Sequence, residues 1–381
     1  MSLLYLDNAA TTPVRPEVVE AMAPYLTHWF GNPSSHHTVG EAAAGALEDA
    51  RARVARVVGM RPGDIVFTSG GTEADNLAVK GIAIAAREHR AAHHVVTSPI
   101  EHEAILESVD FLRRIHGFAV TMLPVDHDGR IDPADVARAL REDTALVAVG
   151  YANNEVGTVQ DVTAIAAVTG ARRIPLHLDA VQAAGWLPLA GTGADSLAIA
   201  GHKIGAPKGT GVLVVRGRVP LEPLFHGGGQ ERGRRSGTED VAGAVALATA
   251  LELAEAERVA GSERARATRD RFIAGVRTRV PEARLTGHPA ERLPGIASFV
   301  FPGTSGEAIL LELERRGVVS SSGSACAAGS DEPSHVLLAM GFAPEVAQTA
   351  VRFSFPHHPD LDADGLADQV AAAVRAVRSA P

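Results

Sequence analysis

An amine, a carboxylate and an amide stand at the ends of two short apolar runs. Lys203 follows Ser196-Leu197-Ala198-Ile199-Ala200 and the pair Gly201-His202, and a turn through Gly205, Pro207 and Gly209 closes behind it. Asp179 ends the run Ile174-Pro175-Leu176-His177-Leu178, and Gln182 comes just after it. A lone carboxylate at the end of a buried strand is costly unless it has a partner. An amine and a carboxylate so placed are what pyridoxal 5'-phosphate (PLP) requires. The amine takes the aldehyde as a Schiff base, and the carboxylate keeps the ring nitrogen protonated so that the ring draws electrons. The plain alternatives are a solvated lysine, with Lys208 as the local competitor, and an Asp179 that caps a helix beginning at Ala180.

Other groups extend the pattern. Gly70-Gly71-Thr72 sits between a strand-like run and a helical one. Backbone N–H groups at such a helix start, with a threonine hydroxyl and the helix dipole, hold a phosphate; a simple chain reversal would use the same glycines. His102, flanked by Glu101 and Glu103, opens a helical pattern, and an imidazole exchanges protons near neutrality. Arg352 lies on the apolar run Val351-Arg352-Phe353-Ser354-Phe355, where a guanidinium needs a partner. Either an internal salt bridge or a bidentate carboxylate ligand would serve. Asn153 reads equally well as a turn residue. Cys326 is the single cysteine. Such a residue is often a small buried hydrophobe, but the surrounding Ser, Gly and Ala argue for an exposed thiol.

Strands and helices must alternate to position these groups, the mark of an α/β fold. Ile65-Val66-Phe67-Thr68 reads as a strand feeding a helix from Thr72, and Val95-Val96-Thr97 as one preceding a helix near His102. The runs 119–123 and 145–149 suit strands covered on both faces, and Ser196-Leu197-Ala198-Ile199 and Val212-Leu213-Val214-Val215 continue the sheet. An Ala-rich stretch from Glu239 to Arg279 predicts two helices, broken at Gly243 and Gly261. After Pro281 the pattern changes: a strand over 296–301, a helix over 306–316, a strand over 351–355 and a terminal helix after Asp360. These features suggest a large domain over 13–260 and a smaller α+β domain formed by 1–12 and 261–381. Cys326 falls in a Ser/Gly/Ala-rich loop, 320–334, too poor in apolar surface to be rigid by itself.

Composition narrows the setting. The 381 residues, 46% hydrophobic and 21% charged, can bury a sizeable core without staples. With 36 basic and 45 acidic residues the net charge is −9, which argues against broad nucleic-acid binding. Gly, Pro or a charge interrupts every apolar run before membrane-spanning length. The N-terminus lacks the basic segment of a signal peptide, and one cysteine excludes an internal disulfide. A cytoplasmic protein is expected. The histidine pairs His36-His37, His93-His94 and His357-His358 have no partner cluster, so no metal site is expected.

The chain resembles the cysteine desulfurases, from Tyr5-Leu6-Asp7-Asn8-Ala9-Ala10-Thr11-Thr12-Pro13 to Arg352-Phe353-Ser354. The blocks that carry the resemblance are Thr68-Ser69-Gly70-Gly71-Thr72-Glu73, Glu101-His102, Asn153-Asn154-Glu155-Val156-Gly157, Asp179-Ala180-Val181-Gln182, Gly201-His202-Lys203, His226-Gly227-Gly228-Gly229-Gln230-Glu231-Arg232, Arg235-Ser236-Gly237-Thr238 and Ser321-Ser322-Gly323-Ser324-Ala325-Cys326. Each block is weak alone; their joint occurrence in this order is specific. The resemblance implies PLP-dependent transferase fold type I, with a mostly parallel seven-stranded sheet in the large domain. It implies Lys203 as the PLP lysine, Asp179 at the ring nitrogen, and Gln182 and Asn154 at the phenolic oxygen or substrate. Gly71, Thr72, His202 and Thr238 would hold the phosphate, with Thr238 reaching the cofactor of the other subunit of a homodimer. His102 would stack on the ring and relay protons, and Arg352 would hold the substrate carboxylate. Cys326 would attack the sulfur of bound L-cysteine, leaving alanine and a persulfide for an acceptor protein in iron–sulfur cluster assembly or thiolation. Its extended loop resembles the long-loop class. Two departures are noted: Ala200 where relatives often have serine, and Phe355-Pro356-His357-His358 where they often have a shorter, glycine-containing turn. A selenocysteine lyase, another fold type I aminotransferase and a PLP-free scaffold are the alternatives.

Overall fold

Short runs rich in Val, Ile, Leu and Ala, most of them buried on both faces, build one seven-stranded sheet. The computed structural model describes residues 3–323 and 332–379. The sheet comprises β2 (Ile65–Thr68), β3 (His94–Thr97), β4 (Ala119–Met122), β5 (Thr144–Gly150), β6 (Leu176–Asp179), β7 (Ser196–Ala200) and β8 (Gly211–Val215). Their spatial order is β2-β8-β7-β6-β5-β3-β4. Only β8 runs against the others, pairing antiparallel with both β2 and β7. The α/β class expected from the alternating pattern is thus present. One strand differs from expectation: β4 is an edge strand with Ala119 and Met122 exposed, not covered on both faces.

Helices cover the sheet on both faces: α1 (Pro16–Thr27), α2 (Thr38–Val58), α3 (Gly71–Arg90), α4 (Glu103–His116), α5 (Pro133–Ala139), α6 (Val162–Ala171) and α7 (Val241–Arg279). α3 packs on β8, β5, β7 and β6, so its N-terminus stands over the strand ends that carry Asp179 and Lys203. The approach is close. A Cβ at Gly211 would lie 2.5 Å from the Gly70 backbone, so β8 passes under the helix start only because residue 211 has no side chain.

α7 is one unbroken helix of 39 residues, not the expected two. Gly243 lies in its first turn, where its N–H is capped by Asp240 at 2.8 Å. Gly261 sits mid-helix because a Cβ there would come within 2.9 Å of the His357 ring. Both glycines serve packing and capping, and neither breaks the helix. Val245 to Ala254 pack into the sheet's core, while Phe272 and Val276 belong to a second core.

That second core surrounds a three-stranded antiparallel sheet, β12 (Ala350–Ser354), β10 (Ile296–Val300) and β9 (Arg284–Leu285). A two-stranded parallel pair, β1 (Leu4–Tyr5) and β11 (Val318–Val319), lies beside it. α8 (Gly306–Arg315), α9 (His335–Ala339), α10 (Pro344–Ala347) and α11 (Ala363–Arg378) complete the chain. Phe272 meets Phe299, Phe353 and Phe355 edge-on, with ring centroids 4.9–6.0 Å apart. No helix among the described residues is long and apolar enough to cross a membrane.

Candidate active site

The C-terminal ends of β5, β6 and β7 and the N-terminus of α3 open into a cavity of about 670 Å³. Of the residues singled out in the sequence, Gly71, Thr72, His102, Asn154, Asp179, Gln182, His202, Lys203 and Arg352 all line it. That volume suits a cofactor together with a small substrate. Thr238 lies elsewhere, exposed on the segment between β8 and α7. Cys326 lies outside the described residues.

Lys203 ends a single 3-10 turn, Gly201–Lys203, directly after β7. Its Nζ donates to the carbonyls of Ala9 at 2.6 Å and Ala10 at 2.8 Å, which hold the amine at the cavity wall. Asp179 closes β6. Its Oδ1 accepts the Val181 N–H at 2.9 Å, so the capping role and the cavity role coexist. A run of turns continues the chain from Asp179, in place of the helix expected from Ala180. Gln182 therefore points its amide to the Ala9 carbonyl, 2.9 Å away, beside Lys203. Burial raises the Asp179 pKa, while His102, the Val181 N–H and Lys203 pull it down.

The phosphate end is set by α3. A Cβ on Gly71 would come within 2.7 Å of Val181, so only glycine leaves the helix start open to the cavity. His202 meets the Thr11 hydroxyl through Nδ1 at 3.2 Å. Burial, with Lys203 and Lys208 nearby, lowers its pKa to about 4, leaving it a neutral hydrogen-bonding group. His102 caps α4: its Nδ1 accepts the Ala104 N–H at 3.1 Å. That bond places the proton of the neutral ring on Nε2.

Arg352 is 1% exposed. Its Nη2 pairs with Asp7 at 2.6 Å, and its Nη1 donates to the carbonyls of Asn154 at 2.8 Å and Gly323 at 3.2 Å. The internal salt bridge considered from sequence is thus present, in a guanidinium that also borders the cavity. Asn153 is structural: its amide bonds Ile100, and its Oδ1 caps the N–H groups of Glu155 and Val156.

Sequence reasoning missed the groups around the floor. Asp75 and Glu101 line the cavity and are nearly fully buried. Desolvation pushes Glu101 up to about 8, against a hydrogen bond from Ser98, and pushes Asp75 well above the carboxylate range. The one available signal was an acid on the buried face of α3, among Ala74, Leu77 and Ala78. His335 was also missed; its Nε2 meets the Glu101 carbonyl at 3.0 Å.

This donor set fits PLP. An amine, a carboxylate at the same end of the neighbouring parallel strand, and a helix N-terminus with a hydroxyl and a neutral imidazole surround one space. Asp179, at the end of β6, also makes the floor a place for a cationic ring nitrogen.

The Aminotransferase class-V family pattern matches residues 4–362. A cysteine desulfurase IscS from Dictyoglomus turgidum is 44% identical over 353 residues, covering 92% of this chain and 89% of the relative. A solved structure described as a NifS-like protein superposes with a TM-score of 0.88 at 34% identity, covering 99% of this chain and 98% of that one. A structure of SspA in complex with cysteine aligns at a TM-score of 0.81 and 35% identity, over 93% and 99% of the two chains. The chain belongs to the aminotransferase class-V family, and it shares its length and fold with the cysteine desulfurases of that family.

Proposed function

We propose that this chain is a PLP-dependent cysteine desulfurase that converts L-cysteine to L-alanine and passes the sulfur to an acceptor protein. The observation that carries this reading is the convergence of Lys203, Asp179, His102, Thr72 and Arg352 on one cavity. The similarity to cysteine desulfurases adds the substrate. Lys203 Nζ is the amine that would hold the cofactor, and Asp179 the carboxylate that would serve its ring nitrogen. The Gly71–Thr72 helix start and His202 would take the phosphate. Once bound, PLP supplies the electron sink that makes substrate bonds at Cα and Cβ labile.

The remaining work belongs to the protein. Arg352 borders the site from β12, where it orients the substrate carboxylate. His102 presents Nε2 as the proton carrier. The Cys326 thiolate attacks the substrate sulfur: an S–S bond forms, the substrate Cβ–S bond breaks, and the carbon fragment keeps the electron pair and is protonated to alanine. Cys326 is left as a persulfide, which a second thiol then relieves.

The reading includes a homodimer in which Thr238 serves the partner's site. Its support is that Thr238 is exposed and outside its own cavity, on a segment pinned by Arg235 to Glu73 at 2.9 Å. Exposed Leu26, Trp29 and Phe30 offer apolar surface for the pairing. A cytoplasmic setting belongs to the same reading. The test is the Cys326→Ser protein supplied with L-cysteine. It should keep the cofactor's visible band and respond to substrate, while sulfide release falls at least about a hundredfold, as for loss of a catalytic nucleophile. Sulfide release near the parent level would falsify the persulfide route.

A further inference from the structure

Behind the cavity floor lies a second layer that the proposed reaction does not use. Asp75 on α3 is 1% exposed, and His177 on β6 is fully buried. His177 Nε2 meets Asp75 Oδ1 at 3.1 Å, and its Nδ1 meets the Ser196 hydroxyl at 2.9 Å. Side chains alternate along a strand, so His177 and Asp179 share one face of β6. Asp75 also lines the cavity, as does Asp179. It therefore bridges the buried imidazole and the carboxylate floor.

Few charges face this pair. Asp179 comes from β6, and Glu101 from the turn before α4. Lys203 beyond β7 and His102 at the head of α4 stand on the cavity side. The segments of β2, β5, β7 and β8 contain no ionisable side chain. Three protonation patterns satisfy the geometry. One is an aspartate with an imidazolium. A second is an aspartate accepting Nε2–H from a neutral imidazole, whose Nδ1 accepts the Ser196 hydroxyl. The third is a carboxylic acid donating to Nε2, with Nδ1–H donating to Ser196. The first puts two desolvated ions in a dry place, which is costly, and in the first and second an ionised, buried Asp75 would repel Asp179 and Glu101. Burial accordingly drives His177 down to about 3 and Asp75 well up.

We propose that Asp75, His177 and Ser196 form a neutral hydrogen-bonded chain that keeps Asp75 uncharged, so that Asp179 alone among these groups offers a negative charge to the ring nitrogen. Asp75 is thus a positioning residue that acts through Asp179. The inference rests on the reading that Asp179 faces the cofactor.

The test is nitrogen NMR of histidine-labelled holoenzyme, with His177 assigned by its loss in His177→Gln. The expected result is a neutral ring with the proton on Nδ1 at both about pH 5.5 and about pH 8.5, where a free imidazole would change charge. In Asp75→Asn the amide N–H replaces the acid O–H, so His177 stays neutral and cofactor dissociation stays within about twofold of the parent. An imidazolium at neutral pH in the parent overturns the inference, as does a neutral ring with its proton on Nε2, or a loss of cofactor affinity of about tenfold or more in Asp75→Asn. The parent measurement decides alone if a variant does not fold. Asp179→Asn separates the two ideas, because it should weaken cofactor binding at least about tenfold. If it does not, the reading of Asp179 fails while the protonation of His177 stands as measured.

Discussion

Asp7 and Arg352 are 345 residues apart in sequence and 2.6 Å apart in the fold. The pair ties the N-terminal segment to β12 at the edge of the cavity, and it holds a nearly inaccessible guanidinium in one orientation. Its Nε has no partner among the described residues, so the pair leaves donor capacity unspent.

Removing one partner should therefore cost more than a surface ion pair. Asp7→Asn leaves a buried cation without its counter-ion, and unfolding free energy should fall by about 3 kcal/mol. Denaturant titration checks this. A loss below about 1 kcal/mol would class the pair with exposed salt bridges.

Arg352→Lys keeps the charge but loses the planar fork. KM for L-cysteine should rise at least about tenfold while kcat falls less, the pattern for lost ground-state binding. Steady-state kinetics decides; a fall in kcat with KM unchanged would contradict the carboxylate role.

Burial makes stability depend on pH in two opposite ways. His177 has a folded pKa of about 3 against an ordinary 6.5, so its contribution is present above 6.5 and is lost as pH falls toward 3. His177→Gln lacks this loss. Relative to the parent, it should gain about 2 kcal/mol between pH 6.5 and about pH 5. Glu101 has a folded pKa of about 8 against 4.5, so its contribution is present below 4.5 and is lost as pH rises through 8. In the cofactor-free protein, Glu101→Gln should flatten that decline. Thermal unfolding across pH, for parent and variants, measures both.

Ala200 lies at the phosphate end, where a Cβ on Gly71 would be 3.4 Å from its methyl group. Ala200→Ser adds a donor to that wall, so PLP loss during dialysis against a competing amine should slow by a few-fold at most, about 1 kcal/mol or less. Faster loss would show that the hydroxyl meets something other than phosphate.

Local pattern made part of the site legible. Lys203, Asp179 and His102 stand at strand or helix ends, and each end has its own residue signature. Asp75 and His177 were invisible for the opposite reason. Each looks ordinary on its own element, and their meaning comes from a contact across 102 residues. Gly261 misled in the same way. A glycine in a helical pattern reads as a break, and only the His357 ring packed against it explains the smooth passage of α7. Asp7 stands in the N-terminal block with nothing beside it to mark it as the partner of Arg352, since an ion pair between the two ends of a chain leaves no local trace.

The most direct measurement is product analysis of the purified, PLP-loaded protein given L-cysteine and a thiol reductant. The expected result is L-alanine and sulfide in equal amounts, over many turnovers, and neither product from Lys203→Ala. Pyruvate and ammonia in place of alanine, or alanine formed from selenocysteine but not from cysteine, would contradict the proposed function.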